Sequence, residues 1–170
     1  MSNNFNTDEN FYENDEIVCF KSGYLSQWYI SPFILDGITY NCCEKRMMHQ
    51  KAILFHDNEI ASAILDEESP KIIKKLGREV KNFDDNEWNK YAENIVYEAN
   101  LAKFSQNIEL KEKLLSTKNK LIVETSPYDS IWGNGLNITS TLNTPIENWN
   151  GTNKLGKILM KVRDFLKNNN

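Results

Sequence analysis

Phe33-Ile34-Leu35-Asp36-Gly37-Ile38-Thr39-Tyr40-Asn41-Cys42-Cys43-Glu44-Lys45-Arg46-Met47-Met48-His49-Gln50-Lys51-Ala52 passes from strand to helix chemistry in a single run. Asp36-Gly37 sits between two β-prone triplets and suits the positive φ angles of a tight turn, so an antiparallel hairpin is expected over Phe33 to Tyr40. From Cys43 to about Phe55 the pattern is helical, and Glu44, Met47, Met48 and Lys51 share one face at i, i+3, i+4 and i+7. A core-facing stripe should be apolar at both ends. Here an acid and an amine bracket two thioethers, so the charges must be paired, exposed at a rim or set in a pocket.

Working outward, Glu16 to Phe20 alternates as a strand, and Asp57 opens a second helix that runs to about Asp66. Ser69-Pro70 begins a third, which Gly77 is expected to close. Asp84 or Asp85 caps a longer helix with Trp88, Ala92, Ile95, Ala99 and Ala102 as its inner stripe, followed by a shorter one from Ile108 to Leu115. Leu121 to Glu124 reads as a buried strand. The glycine-, proline- and asparagine-rich stretch from Ser126 to Asn153 is too long for an ordinary connection and is therefore assigned a functional role. A last helix turns Leu155, Ile158, Leu159, Val162 and Phe165 inward. The expected class is α+β: a single compact domain, mainly helical with a small antiparallel sheet, over residues 16–167. The polar stretch 1–15 is expected to be a flexible tail and 168–170 a frayed end.

Bulk composition narrows the function. The 170 residues are 40% hydrophobic, 11% aromatic and 26% charged, as in ordinary globular proteins. A net charge of −4 offers no global footprint for gripping a phosphate backbone. Cys19, Cys42 and Cys43 form no CxxC pair, and two histidines leave a zinc site short of ligands, so neither metal nor cofactor is implied. The odd cysteine count, with no signal-peptide pattern and no membrane-spanning run, predicts an intracellular, cytoplasmic protein without membrane partners. Asn137-Ile138-Thr139 and Asn150-Gly151-Thr152 match the glycosylation pattern but lack the export context.

Three clusters carry the candidate chemistry. Glu44 and Lys51 lie about 10 Å apart along a helix axis, enough to reach two ends of one small substrate. Taken alone, Glu44 reads as the partner of Asn41 in a capping box, and Lys51 as a lysine whose stem covers the stripe while its ammonium reaches water. In Glu124-Thr125-Ser126-Pro127-Tyr128-Asp129-Ser130-Ile131-Trp132-Gly133-Asn134-Gly135 an acid, an aromatic face and glycines that admit backbone N–H groups suit a nucleotide or sugar. An Asx-turn with a core tryptophan is the plainer alternative. Trp149-Asn150-Gly151-Thr152-Asn153-Lys154-Leu155-Gly156-Lys157 mimics a phosphate loop, but Ile158 stands where the magnesium-binding hydroxyl would be, which rules out an NTPase. The helix N-terminus there is still expected to present free amides to a phosphate. Arg78 and Lys103 supply further cations at helix ends, solvated unless a ligand claims them.

Leu25-Ser26-Gln27-Trp28, Ser31-Pro32-Phe33, Asp36 to Tyr40, Cys43-Glu44, Met47-Met48, Lys51-Ala52, Leu76-Gly77-Arg78, Trp88, Lys103-Phe104, Tyr128-Asp129, Ile131-Trp132-Gly133, Gly135, Trp149, Gly151, Asn153 and Arg163, in that order, resemble the NADAR, or YbiA-like, family. The resemblance implies an N-glycosidase that cleaves the bond between a ribose C1 and a nitrogen. Its substrate would be either a ribosylamino-pyrimidine phosphate of riboflavin synthesis or ADP-ribosyl-guanine in nucleic acid. It places the family's glutamate at Glu44 and its helix lysine at Lys51, and it implies a nucleotide or ADP-ribose pocket lined by Trp28, Gly77, Arg78, Trp132, Gly133 and Asn153. Asp129 joins Glu44 and Lys51 as a catalytic candidate, and Lys103, Gly135 and Trp149 join the binding set. One family branch carries His, Tyr, Phe and Gln where Lys45, Arg46, Met47 and Met48 stand here, and another carries the paired methionines. Lys45 and Arg46 are accordingly expected to add positive charge beside the site. A non-catalytic ADP-ribose or nucleotide-binding module is the alternative reading, and a helical interaction protein ranks below it.

Overall fold

The computed structural model describes residues 9–170. It divides into two compact units, one formed by the chain up to Ser26 together with Leu114–Asn170, the other by Gln27–Lys113. The class is α+β and mainly helical, as expected.

In the Gln27–Lys113 unit, strands β1 (Phe33–Leu35) and β2 (Ile38–Tyr40) pair antiparallel in the register Phe33↔Tyr40, Ile34↔Thr39 and Leu35↔Ile38. Asp36 and Gly37 both take positive φ, 51° and 76°, the geometry that closes a two-residue hairpin. The hairpin leads directly into α1 (Cys43–Leu54), which is surrounded by α2 (Asn58–Asp66), α3 (Pro70–Arg78) and α4 (Asp85–Gln106). Phe33, Tyr40, Cys43, Ala99 and Ala102 form one core cluster between hairpin, α1 and α4.

Local caps set the helix starts. Asp57 Oδ1 accepts from Ile60 N at 3.1 Å to begin α2, while its Oδ2 accepts from Lys81 N at 3.0 Å and ties down the chain after α3. Asp84 Oδ1 accepts from Glu87 N at 2.8 Å to begin α4. Pro70 opens α3 behind Ser69, but Gly77 lies inside the last turn instead of closing the helix. A Cβ there would stand 2.0 Å from Met48 Sδ, so the glycine admits a close crossing of α3 over α1.

On α4 the expected Trp88, Ala92, Ala99 and Ala102 are buried, and the stripe is broader than expected at one point. Val96 is fully buried while Ile95 is only half-buried, and Asn100 and Lys103 are buried alongside.

The other unit holds a mixed sheet of β3 (Phe11–Glu13), β4 (Ile17–Phe20) and β5 (Leu121–Glu124), with β4 in the centre. β3 pairs antiparallel with β4, whereas β5 lies parallel to β4 in the register Ile17↔Leu121 to Phe20↔Glu124. The sheet is therefore not purely antiparallel. A tight turn would force antiparallel pairing, but the long stretch of chain between these two strands leaves the direction open. Phe11–Glu13, placed in the expected flexible tail, is a strand because β4 gives it a ladder; residues 1–8 of that tail lie outside the described residues.

After α5 (Ile108–Ser116) and β5, the long loop contains α6 (Ile138–Leu142) and a 3₁₀ turn (Ile146–Asn148) before α7 (Lys154–Asn168). On α7, Leu166 is buried and Phe165 is 44% exposed. At 100° per residue, position 166 falls back in line with Leu155, Leu159 and Val162, and position 165 does not.

Gly156 on α7 faces β5, where a Cβ would come within 2.2 Å of the Ile122 carbonyl oxygen and 2.4 Å of the Asn153 amide. Main chain cannot yield as a side chain can. Gly156→Ala should destabilise the protein by about 3 kcal/mol, read as a lowered urea midpoint; an unchanged midpoint would show that α7 can shift freely from β5.

Candidate functional site

Glu44 stands in the first turn of α1 and is 7% exposed. The capping-box reading does not hold. The N-cap is Cys42, which makes no side-chain cap bond, and Asn41 Nδ2 donates instead to the Glu68 carbonyl and to Glu68 Oε2, both at 2.9 Å. The Glu44 N–H donates to the Gln27 carbonyl at 3.0 Å, which fixes the helix start against the Gln27 strand of chain. A carboxylate in this turn also gains from the helix dipole.

Lys51, two turns further along the same face, is half-buried, with its ammonium 4.3 Å from the centre of the Phe83 ring. Burial pushes this amine below the ordinary lysine value; the charges of Glu44 and Asp85 work in the opposite direction, and Arg78 adds to the lowering. Met47 and Met48, both 7% exposed, form the wall between them.

Lys45 and Arg46 do not add charge to this face. Arg46 is turned about 200° from Glu44 around the helix. It bonds Asp36 Oδ2 at 2.7 Å in the hairpin turn and the Tyr40 hydroxyl at 3.2 Å, with Glu98 Oε2 at 3.9 Å. Burial opposes the Arg46 charge, but the Tyr40 and Asp36 bonds outweigh it and raise its pKa. Lys45 pairs with Glu68 Oε1 at 3.3 Å. The Tyr40 hydroxyl also meets His49 Nδ1 at 2.9 Å. Because a guanidinium only donates, the Tyr40 oxygen accepts from Arg46. Burial and the cations Arg46 and Lys45 hold the His49 pKa down. The neutral ring suits that arrangement.

Of the binding candidates in this unit, Trp28 keeps 41% of its surface exposed, and the Lys74 ammonium sits 5.7 Å from its ring centre. Arg78 is exposed on α3, while Gly77 is buried against Met48 and acts in packing. Lys103 is not a solvated helix-end cation. It is fully buried, its ammonium 5.5 Å from the Tyr29 ring and 4.9 Å from the Phe104 ring, and burial pushes its pKa down against the opposing influence of Cys43 and Cys42. The thiols themselves are unreactive: burial raises Cys42 to about 11 and Cys43 to about 12.

The second and third clusters lie in the other unit. Asp129 Oδ1 accepts from Ile131 N at 3.0 Å and from Trp132 N at 2.9 Å, so it makes the Asx-turn of the plainer reading. Gly133 is buried, with space for a Cβ closed by the Asp129 and Glu124 carbonyls, and Gly135 has φ +74°. The α7 amides are not free for a phosphate: Lys154 N and Leu155 N donate to the carbonyls of Ile131 and Trp132 at 3.2 and 3.0 Å. Asn153, 2% exposed, spends both ends of its amide on β5, accepting from Glu124 N at 3.0 Å and donating to the Ile122 carbonyl at 3.0 Å. Trp149 donates to the Thr144 carbonyl at 3.1 Å and shares with Asn153 the wall of a cavity of about 190 Å³. Trp132 is half-buried, with the Lys154 ammonium 6.0 Å from its ring centre. Among the described residues no group of three His, Cys, Asp or Glu side chains is placed to hold a metal ion, and no helix is long and apolar enough to cross a membrane.

The model of the NADAR domain matches residues 10–167. The chain belongs to the NADAR family. N-glycosidase R617 of Acanthamoeba polyphaga mimivirus is 44% identical over 82% of this chain and 85% of its own length. N-glycosidase YbiA of Escherichia coli is 29% identical over 92% of this chain and 87% of its own. The NMR structure of E. coli YbiA superposes with a TM-score of 0.76 at 28% identity, covering 95% of this chain and 90% of that one. The NADAR match runs through both compact units, so one family domain contains them.

Sequence reasoning missed two features of this NADAR site. Phe83, 40% exposed and edge-on to Phe55 at 5.3 Å, receives the Lys51 ammonium, yet it lies in a polar stretch with no periodicity to mark it. Gln27 and Asn100 form a buried amide pair at 2.8 Å, and Asn100 interrupts an otherwise apolar stripe, which was the available signal.

The folded state holds the Lys51 proton less tightly than the unfolded chain does, so this group's contribution to stability is lost as pH falls through its folded pKa. Competitive acetylation followed by mass spectrometry should give Lys51 a titration midpoint below the ordinary 10.5. A midpoint at or above that value would mean that Phe83 and Glu44 dominate over burial.

Proposed function

We propose that the protein is an N-glycosidase that hydrolyses the C1–N bond of a ribosylated base. The observation that carries this reading is the pairing on one face of α1 of a buried carboxylate, Glu44, with a lysine amine, Lys51, whose pKa burial lowers. A module that only bound nucleotides would need stacking and backbone contacts and would have no use for that pair. The names of the mimiviral and bacterial relatives support the same activity.

Cleavage of the C1–N bond develops positive charge at C1, which a carboxylate such as Glu44 stabilises, or the carboxylate removes a proton from the attacking water. Lys51 supplies a second route. Once the ribose ring opens, C1 is bound to the base nitrogen as an imine. The neutral Lys51 amine attacks that carbon, the base leaves as its free amine, and water then releases the sugar as an aldehyde. Asp129, in the other unit, holds its own Asx-turn and takes no step in this reading. The two substrate classes are a ribosylamino-pyrimidine phosphate and an ADP-ribosylated guanine, with Trp28 and Arg78 as the aromatic and cationic contacts. Lys45 and Arg46 face elsewhere and give no preference between the two.

Incubation with each substrate class should release ribose phosphate or ADP-ribose, detected by mass spectrometry. Glu44→Gln, which keeps shape and removes charge, is expected to lower kcat by about a hundredfold or more, and borohydride added during turnover should leave a sugar adduct on Lys51. Undiminished turnover by Lys51→Ala would eliminate the imine route. Saturable binding with no sugar release would make the protein a nucleotide-binding module instead.

A further inference from the structure

Phe83 was assigned no role by sequence, yet its ring both reaches solvent and touches the candidate site. It is 40% exposed, and the Lys51 ammonium stands over it, 4.3 Å from the ring centre. For a residue between two helices it is firmly held. The Lys81 N–H donates to Asp57 Oδ2 at 3.0 Å, Asn82 turns the chain through a φ of 58°, and Asp84 caps α4 by accepting from Glu87 N at 2.8 Å. Phe55, which ends α1, meets the ring at 5.3 Å and 66°. An aromatic surface fixed in advance binds a flat partner with little further loss of freedom.

An ammonium and a stacked base compete for such a surface. Stacked rings lie about 3.5 Å apart, so a base cannot occupy the face over which the Lys51 ammonium stands. The cation–π attraction favours the charged amine. Glu44 on α1 and Asp85 on α4 act in the same direction, while burial and Arg78 on α3 oppose them. Taking the ring away from the ammonium therefore moves the balance toward the neutral amine, the form that attacks carbon. Proximity fits as well. The base leaves from the carbon that Lys51 Nζ would attack, so it must lie within a few ångströms of that nitrogen, as the Phe83 ring does.

We propose that Phe83 is the stacking surface for the base of the substrate, and that the arriving base takes the place of the Lys51 ammonium on the ring. The proposal rests on the N-glycosidase reading, in which Lys51 attacks C1, and adds a coupling to it. As the base displaces the ammonium, Lys51 gives its proton to solvent, so the nucleophile forms in the complex that contains a leaving group. A ribose phosphate without a base lacks the stacking contribution and leaves Lys51 on the ring.

Guanosine 5′-monophosphate and ribose 5-phosphate differ at C1 by the base and share the phosphate, so the pair tests this directly. Calorimetric titration of the full chain should show the nucleotide binding about tenfold or more tightly. Phe83→Leu keeps an apolar contact for Phe55 without an aromatic face, and should bring the two affinities to within about threefold by weakening the nucleotide. Phe83→Trp should keep the preference. Competitive acetylation of the unaltered protein should give Lys51 a midpoint about half a pH unit or more lower with the nucleotide bound than with ribose 5-phosphate bound. That comparison needs no variant, so it decides the matter even if Phe83→Leu does not fold. Equal affinities, binding of neither probe, a preference that survives in folded Phe83→Leu, or equal Lys51 midpoints would each overturn the role of Phe83. The glycosidase reading is decided separately, by sugar release from the two substrate classes.

Discussion

A helix buried on nearly every side is the constraint on which the Gln27–Lys113 unit depends. In α1, Cys43 through His49 are all buried, and four of those residues are Glu44, Lys45, Arg46 and His49. Buried charges are tolerated only when paired and hydrogen-bonded. The surrounding elements are arranged to meet that demand: the hairpin turn gives Asp36, the strand before the helix gives Tyr40, the α2–α3 connection gives Glu68, and α4 gives Glu98. The positions of hairpin and α4 follow from the polar requirements of α1 as much as from apolar packing.

The other unit solves a different problem, ordering a long loop without regular secondary structure. Its answer is main-chain hydrogen bonding. Residues 130–134 lie alongside residues 151–155, with Gly151 N bonded to the Asn134 carbonyl at 2.8 Å and Thr152 N to that of Ser130 at 2.9 Å. Gly151 leaves no room for a side chain, since a Cβ would meet the Gly133 carbonyl at 2.6 Å. Asn153, with φ 52°, then clamps the loop to β5 through both ends of its amide. The glycines and asparagines that looked like ligand contacts in sequence are here occupied with the protein's own backbone.

Sequence was most legible where one local rule decided the outcome. Asp36-Gly37 fixed the hairpin, Asp57 and Asp84 the helix starts, and Leu121 to Glu124 coincides with a strand. It was least legible where a polar residue was buried by tertiary pairing. The apolar stripe proposed for α4 omitted Asn100 and Lys103, because neither looks like core until Gln27, Cys43 and the Tyr29 ring are brought against them. Lys45 and Arg46 were misread for the same reason: their carboxylate partners lie 23 and 10 residues away along the chain. Within the candidate site, the shared face of Glu44 and Lys51 was readable from helical spacing, whereas the Phe83 ring over Lys51 and the Gln27 anchor under Glu44 exist only in three dimensions.

The Arg46 attachment to Asp36 and Tyr40 is on the side of α1 opposite Glu44. Turning the helix about its own axis to swing Glu44 would tear the guanidinium from both partners and strand a buried charge. The helix is therefore keyed against rotation from behind, and the azimuth of the carboxylate is set before any substrate arrives. In the proposed reaction, a carboxylate held in this way needs little reorganisation as charge develops in front of it, which is the condition under which fixed electrostatics lower a barrier most. On the proposed reading, residues that never meet the sugar thereby take part in defining the field it experiences.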